Sequence, residues 1–138
     1  MEKSTELIKR EYSSVLLAYL GDAYYETLAR EYVIEGGDCK LSDVNKKILD
    51  LVTAVSQSKI VEIILPHLTE EEEWFYKSGR NAHNTHRTRS AAAVEYRRAT
   101  GLECLFGFYF LSGRETRARE LFGLITSGVY NDGGNNHD

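Results

Sequence analysis

Apolar residues along the chain recur at intervals of three and four. No run alternates strictly between Asn-Gly or Asp-Gly turns, so the pattern predicts helices and gives strands little support. A first long helix is expected from about residue 13 to 34, with Ser13 or Ser14 as N-cap and Gly36-Gly37 as its stop. A second starts after Ser42 and carries Val44, Ile48, Leu51 and Val52 on one face. A third covers about 53 to 65 and ends at Pro66, because the residue before proline avoids helical backbone. Thr69 and Glu72 form a capping box for a fourth, placing the acids of 70–73 at the positive end of its dipole. A loop over 79–90 leads to a very apolar helix from about 91 to 111, and a final helix runs from about 115 to 126. The Gly- and Asn-containing remainder, 127–138, reads as a disordered tail. The fold class is all-α, a helical bundle.

A chain of 138 residues, 42% hydrophobic and 28% charged, fits one ordinary globular domain. Cys39 and Cys104 form no paired motif, so neither a disulfide scaffold nor a zinc knuckle is indicated and a reducing, cytoplasmic setting suits the chain. The first residues are polar, and no stretch approaches the ~18 apolar residues that span a bilayer, so no membrane partner is expected. A net charge of −4 would by itself argue against nucleic acid. The charge is segregated, however. Residues 77–98 hold six basic residues against one acidic, net +5, while the rest holds 11 basic and 20 acidic, net −9.

Two acids stand alone in apolar runs. Around Glu103, in the run 102–111, apolar side chains take nearly every direction about the axis at ~100° per residue, so this helix should be central and buried. Its neighbours along the helix surface, Ala99, Thr100 and Gly107, are small and predict a shallow open strip above the carboxylate. A buried carboxylate must be protonated, paired with a base or bound to a cation. One reading is therefore a structural pair with Arg97 or Arg98. Asp22 has a matching setting in the first long helix, with Ala18, Glu26 and Ala29 beside it. Aspartate and the preceding Gly21 are poor mid-helix residues, the glycine by about 1 kcal/mol relative to alanine. Two carboxylates on facing central helices make a hard-oxygen site that suits Mg²⁺ with most of its waters retained. Glu26, one turn on, reads as a polar edge residue that reaches such an ion at most through water.

These residues also carry a family resemblance. The segment Ala18-Tyr19-Leu20-Gly21-Asp22-Ala23 resembles the signature helix of ribonuclease III domains, and Thr100-Gly101-Leu102-Glu103-Cys104-Leu105-Phe106-Gly107 resembles their second catalytic helix. Ser78-Gly79-Arg80-Asn81-Ala82 looks like the loop of the short bacterial members called Mini-ribonuclease III. The similarity covers about residues 12–128. It implies an all-helical, homodimeric endonuclease that cuts double-stranded RNA with Mg²⁺, with Asp22 and Glu103 as its catalytic, metal-holding acids. Tyr19 then stands at the aromatic position that packs into the partner subunit at the dimer interface. The natural substrate in this group looks to be precursor large-subunit (23S) ribosomal RNA, with a ribosomal protein as a candidate for presenting it. Residues 1–128 would form the catalytic domain and 129–138 its tail, with no room after it for the double-stranded RNA-binding domain of longer relatives. Those longer enzymes also carry acids where this chain has Ala18 and Thr100, so the carboxylate count is halved, as it is in Mini-type members.

Duplex RNA is recognised through phosphates, 2′-hydroxyls and shape, so a metal site needs a cationic surface beside it. Arg80, Asn81, Arg87 and Arg89 are expected in a flexible loop that reaches the duplex, with His83 and His86 as neutral hydrogen-bonding contacts. Tyr24, Tyr25, Tyr96 and Tyr109 fall in helical apolar patterns and read as core or dimer-interface residues. Two rival readings remain open. One is a catalytically inactive ribonuclease III-fold module for RNA binding or ribosome assembly; the other is a helical interaction protein whose basic loop meets an acidic partner.

Overall fold

The computed structural model describes residues 2–35, 37, 40–82 and 90–131, and every regular element among them is helical. A helix absent from the sequence reading comes first: α1 (Thr5–Glu11) is capped by Ser4, whose Oγ accepts from the Leu7 N–H at 3.2 Å. Seven residues are too few to show a period. Its place is set instead by Ile8, fully buried, and by the Lys3 N–H donating to the Leu111 carbonyl at 2.8 Å. Helix α2 (Ser14–Ile34) has Ser13 as its N-cap, as expected.

The expected second helix is broken into α3 (Leu41–Lys47) and α4 (Leu49–Val52), and it begins before Ser42. Side chains meet carbonyls at the end of α4: the Tyr25 hydroxyl of α2 donates to the Leu51 carbonyl at 2.8 Å, and the Ser56 hydroxyl to that of Leu49 at 3.0 Å. Helix α5 (Ala54–Ile64), capped by Thr53, gives way to a 3₁₀ turn (Leu65–His67) that absorbs Pro66. Both arms of the Thr69–Glu72 capping box form at the start of α6 (Glu70–Arg80), which runs through the expected loop boundary at Gly79. Helices α7 (Ala91–Leu111) and α8 (Glu115–Thr126) keep their expected bounds. The tail does not begin at residue 127, because a π-helical turn (Ser127–Asn131) stacks Tyr130 on Tyr32 with ring centroids 5.6 Å apart.

Helix α7 is the axis of the bundle. Leu102, Leu105, Phe106, Phe108 and Tyr109 are fully buried, Phe75 of α6 stacks on Phe108 at 4.1 Å, and Tyr25 of α2 meets Phe106 edge-on at 5.2 Å. Where α2 crosses α7, the backbones themselves touch. A methyl group at Gly21 would overlap the Glu103 carbonyl oxygen, and one at Gly107 would overlap the Leu17 carbonyl oxygen. Helix α6 approaches the other side of α7 in the same manner. A Cβ on Gly79 would lie 2.5 Å from the Cys104 Cβ, and one on Gly101 would lie 2.6 Å from the Tyr76 ring.

The far end of α6 is fixed by charge. Glu72 is 2% exposed and accepts from Arg117 Nε at 2.7 Å, from the Tyr109 hydroxyl at 2.8 Å and from the Thr69 N–H at 2.9 Å. Despite burial, which raises it, those donors hold its carboxyl down at about 2. None of the described helices is long and apolar enough to cross a membrane.

Gly21→Ala is expected to destabilise the protein by roughly 3 kcal/mol or more, the upper end of overpacking penalties, because backbone has to move. Gly123→Ala on α8, where an added Cβ meets nothing within 4 Å, should instead stabilise by up to about 1 kcal/mol. Urea unfolding of the two variants tests the opposite signs.

Candidate active site

The backbone contact of α2 and α7 brings the two lone acids together. Asp22, exposed, follows Gly21 on α2, and Glu103, half-buried, lies on the turn of α7 that Gly21 touches. Their carboxyl groups are within hydrogen-bonding reach of each other. Burial, then the Asp22 charge and that hydrogen bond, push the Glu103 carboxyl up from 4.5 to about 8.

Neither acid has a basic partner among the described residues. Arg98, one of the two candidate structural partners, turns to α5, donating to Glu62 at 3.0 Å and to the Ser58 carbonyl at 3.3 Å. Arg97 is half-buried on α7. Glu26 accepts from Arg30 on its own helix, the polar edge role expected of it. A pair of hard oxygen donors with no cation among the described residues fits a divalent metal ion, and Asp22 and Glu103 are the residues that can hold it.

The small residues beside Glu103 do not form an open strip. Ala99 and Thr100 are nearly buried, and Gly107 is covered by the Leu17 backbone, so these positions serve close helix packing and the site is reached from the Asp22 side. The signal for this was present in the sequence as glycines at 21, 79, 101 and 107, each inside a helix where glycine is disfavoured.

Arg80 and Asn81 are helix-end residues rather than loop residues. Arg80 is the last residue of α6, with its guanidinium 5.7 Å from the centre of the Tyr76 ring and its Nε 3.3 Å from Asn81 Oδ1, and Asn81 is the C-cap. Continuation of the helix follows from the contact of Gly79 with Thr100, Gly101 and Cys104, the turn of α7 that also bears Glu103. The basic end of α6 is therefore packed on the stretch of α7, 100–104, that includes Glu103. His83, His86, Arg87 and Arg89 lie outside the described residues. Tyr19 is 81% exposed on α2, one turn from Asp22, beside the exposed Val15 and Leu16. Tyr25 and Tyr109 are core, Tyr24 is half-buried and Tyr96 is exposed.

Residues 16–114 match the ribonuclease III domain family model. The chain belongs to the ribonuclease III family. Within it, the chain is 39% identical to Mini-ribonuclease 3 of Symbiobacterium thermophilum over 76% of its own length and 81% of that protein. It is 33% identical to Mini-ribonuclease 3 of Clostridium tetani over 90% and 83% of the two chains. A crystal structure of a Fusobacterium nucleatum protein superposes with a TM-score of 0.75 at 30% identity, covering 88% of this chain and 97% of that one. Membership of the Mini-ribonuclease III group, a group of endoribonucleases, agrees with the family reading of the motifs at Asp22 and Glu103.

The raised Glu103 carboxyl has a thermodynamic sign. Between 4.5 and about 8 the folded chain keeps a proton that the unfolded chain has released, so this part of the stability is complete at acid pH and is lost as pH rises through 8. In EDTA, Glu103→Gln should therefore melt on the order of 5 °C above the unsubstituted protein at pH 9 and near it at pH 5. Added Mg²⁺ should narrow the gap at pH 9 by stabilising only the unsubstituted protein. Thermal melts across that range check it.

Proposed function

We propose that the protein is a Mg²⁺-dependent, homodimeric endoribonuclease that cleaves double-stranded RNA, acting in the cytoplasm in the maturation of precursor large-subunit (23S) ribosomal RNA. The observation that carries this reading is the convergence of Asp22 and Glu103, without a basic partner among the described residues, in a ribonuclease III family chain. Asp22 and Glu103 hold the ion, which when bound lowers the pKa of water and neutralises charge developing on the phosphodiester. Gly21 and Gly107 fix the separation of the two acids by fixing the separation of their helices. Arg80 and Asn81, held beside the Glu103 turn, position phosphates, and His83, His86, Arg87 and Arg89 extend that contact along the duplex. A ribosomal protein that presents the precursor is a natural partner for a chain that is net positive over residues 77–98 and net negative over the rest.

The dimer is supported by α2. Val15, Leu16 and Tyr19 form an exposed apolar stripe that leads directly to Asp22, and a second copy would cover it. By family analogy, two such sites on one duplex cut both strands and leave 5′-phosphates with short 3′ overhangs.

Asp22→Asn and Glu103→Gln should each reduce cleavage of duplex RNA in Mg²⁺ by roughly 10²–10³-fold or more while leaving the fold and duplex binding in place. Duplex binding by the unsubstituted protein without any EDTA-sensitive cleavage would instead establish the inactive binding module. Tyr19→Arg should shift the protein to a monomer in light scattering; a dimer of unchanged stability would remove α2 from the interface.

A further inference from the structure

Two arginines outside the acid pair converge where α5, α6 and α7 meet. Arg98 of α7 reaches α5 through Nη1 alone, which donates to Glu62 at 3.0 Å, to the Ser58 carbonyl at 3.3 Å and to the Ser58 hydroxyl at 3.5 Å. Arg80, at the tip of α6, lies over the Tyr76 ring and has no carboxylate partner among the described residues. Tyr76 is the shelf between them. It is buried against Gly101, and both guanidinium charges act on its hydroxyl, which burial keeps protonated near neutral pH against their pull.

These two cations face one carboxylate. The Glu62 side chain is 68% exposed and meets a single nitrogen of Arg98 instead of bridging its fork, which makes the pair weak and exchangeable. Guanidinium forks match the oxygens of a phosphate, and two of them with one positive charge left over attract it. The position on α7 sets this pair apart from the acids. Helix α6 is seated on Gly101 and Cys104. At ~100° per residue, Arg98 lies roughly 60° to one side of Gly101 and Glu103 roughly 160° to the other. A phosphate held at Arg98 is therefore not the one that meets Glu103.

We propose that Arg80 and Arg98 form a phosphate clamp on the flank of α7 turned away from the acids, and that it holds a phosphodiester of the RNA where a strand runs past the cleaved duplex. Glu62 releases Arg98 as the phosphate arrives. The RNA as source of the phosphate rests on the ribonuclease reading, whereas the clamp itself uses neither Asp22 nor Glu103.

Fluorescence anisotropy in EDTA measures the Kd of a short blunt RNA duplex and of the same duplex extended by single strands. The extension should tighten binding to the unsubstituted protein on the order of 10-fold at low salt. Arg98→Gln should remove most of that gain and lower the salt slope for the extended RNA by about 0.7, the value for one phosphate of a single strand. Glu62→Gln, which removes the competing carboxylate, should enlarge the gain about 3-fold, as expected for loss of an exposed ion pair. Equal weakening of both RNAs by Arg98→Gln would make Arg98 a structural tie of α5 to α7 and overturn the clamp. Should Arg98→Gln fail to fold by circular dichroism, Glu62→Gln carries the test, and an unchanged gain there would overturn the clamp as well. Inorganic phosphate is the second probe. If it shifts the Tyr76 ring resonances while the extension gives no gain, the site serves a free anion and the RNA assignment is overturned. No RNA binding at all would overturn both the clamp and the ribonuclease reading. An intact gain without Mg²⁺-dependent cleavage would overturn the ribonuclease reading alone.

Discussion

The contact on which the rest of the structure depends is the one between the α2 and α7 backbones at Gly21 and Gly107. Glycine in a helix interior is disfavoured by about 1 kcal/mol, and this chain uses it at four positions of its central helices. What the glycines obtain is proximity. With no Cβ at the crossing, the residues next to it on the two helices, Asp22 and Glu103, are brought within reach of each other. A crossing lined by larger side chains would hold the helices ~8–10 Å or more apart and separate the two acids.

Two glutamates in one bundle, Glu72 buried and Glu103 half-buried, show how surroundings decide the role of a residue. Glu72 is surrounded by donors from Arg117, Tyr109 and Thr69, which keep it ionised and make it a tie between α6, α7 and α8. Glu103 has another acid for a neighbour, and burial with like charge drives it toward the protonated form. The first arrangement is complete within the chain. The second is resolved only by something that arrives from outside, and a chain that retains it gives up stability for a site.

Much of this was legible in the sequence. Caps marked the start of α2 and α6, because Ser13 and Thr69 each accept a backbone N–H at the expected offset, and the structure adds Thr53 and Ser90 in the same role for α5 and α7. Asp22 and Glu103 stood out because isolated acids in apolar runs demand an explanation. Three features were not legible. Helix α1 is too short to show a period and is held by tertiary contacts of Ile8 and Lys3. The end of α4 is held by hydroxyls of Tyr25 and Ser56 on other helices reaching its carbonyls, which no local pattern encodes. The small residues near Glu103 read equally as an opening or as a packing seam, and only the position of α2 separates the two.

Helix α6 is clamped at one end and basic at the other. Glu71 and Glu72 bind Arg114 and Arg117 at its start, Gly79 is seated against α7 near its finish, and Arg80 and Asn81 stand at the tip. Such a helix is a fixed post rather than a swinging arm. Whatever meets Arg80 and Asn81 must therefore come to them, because the place of the α6 tip is set by the bundle at both ends of the helix.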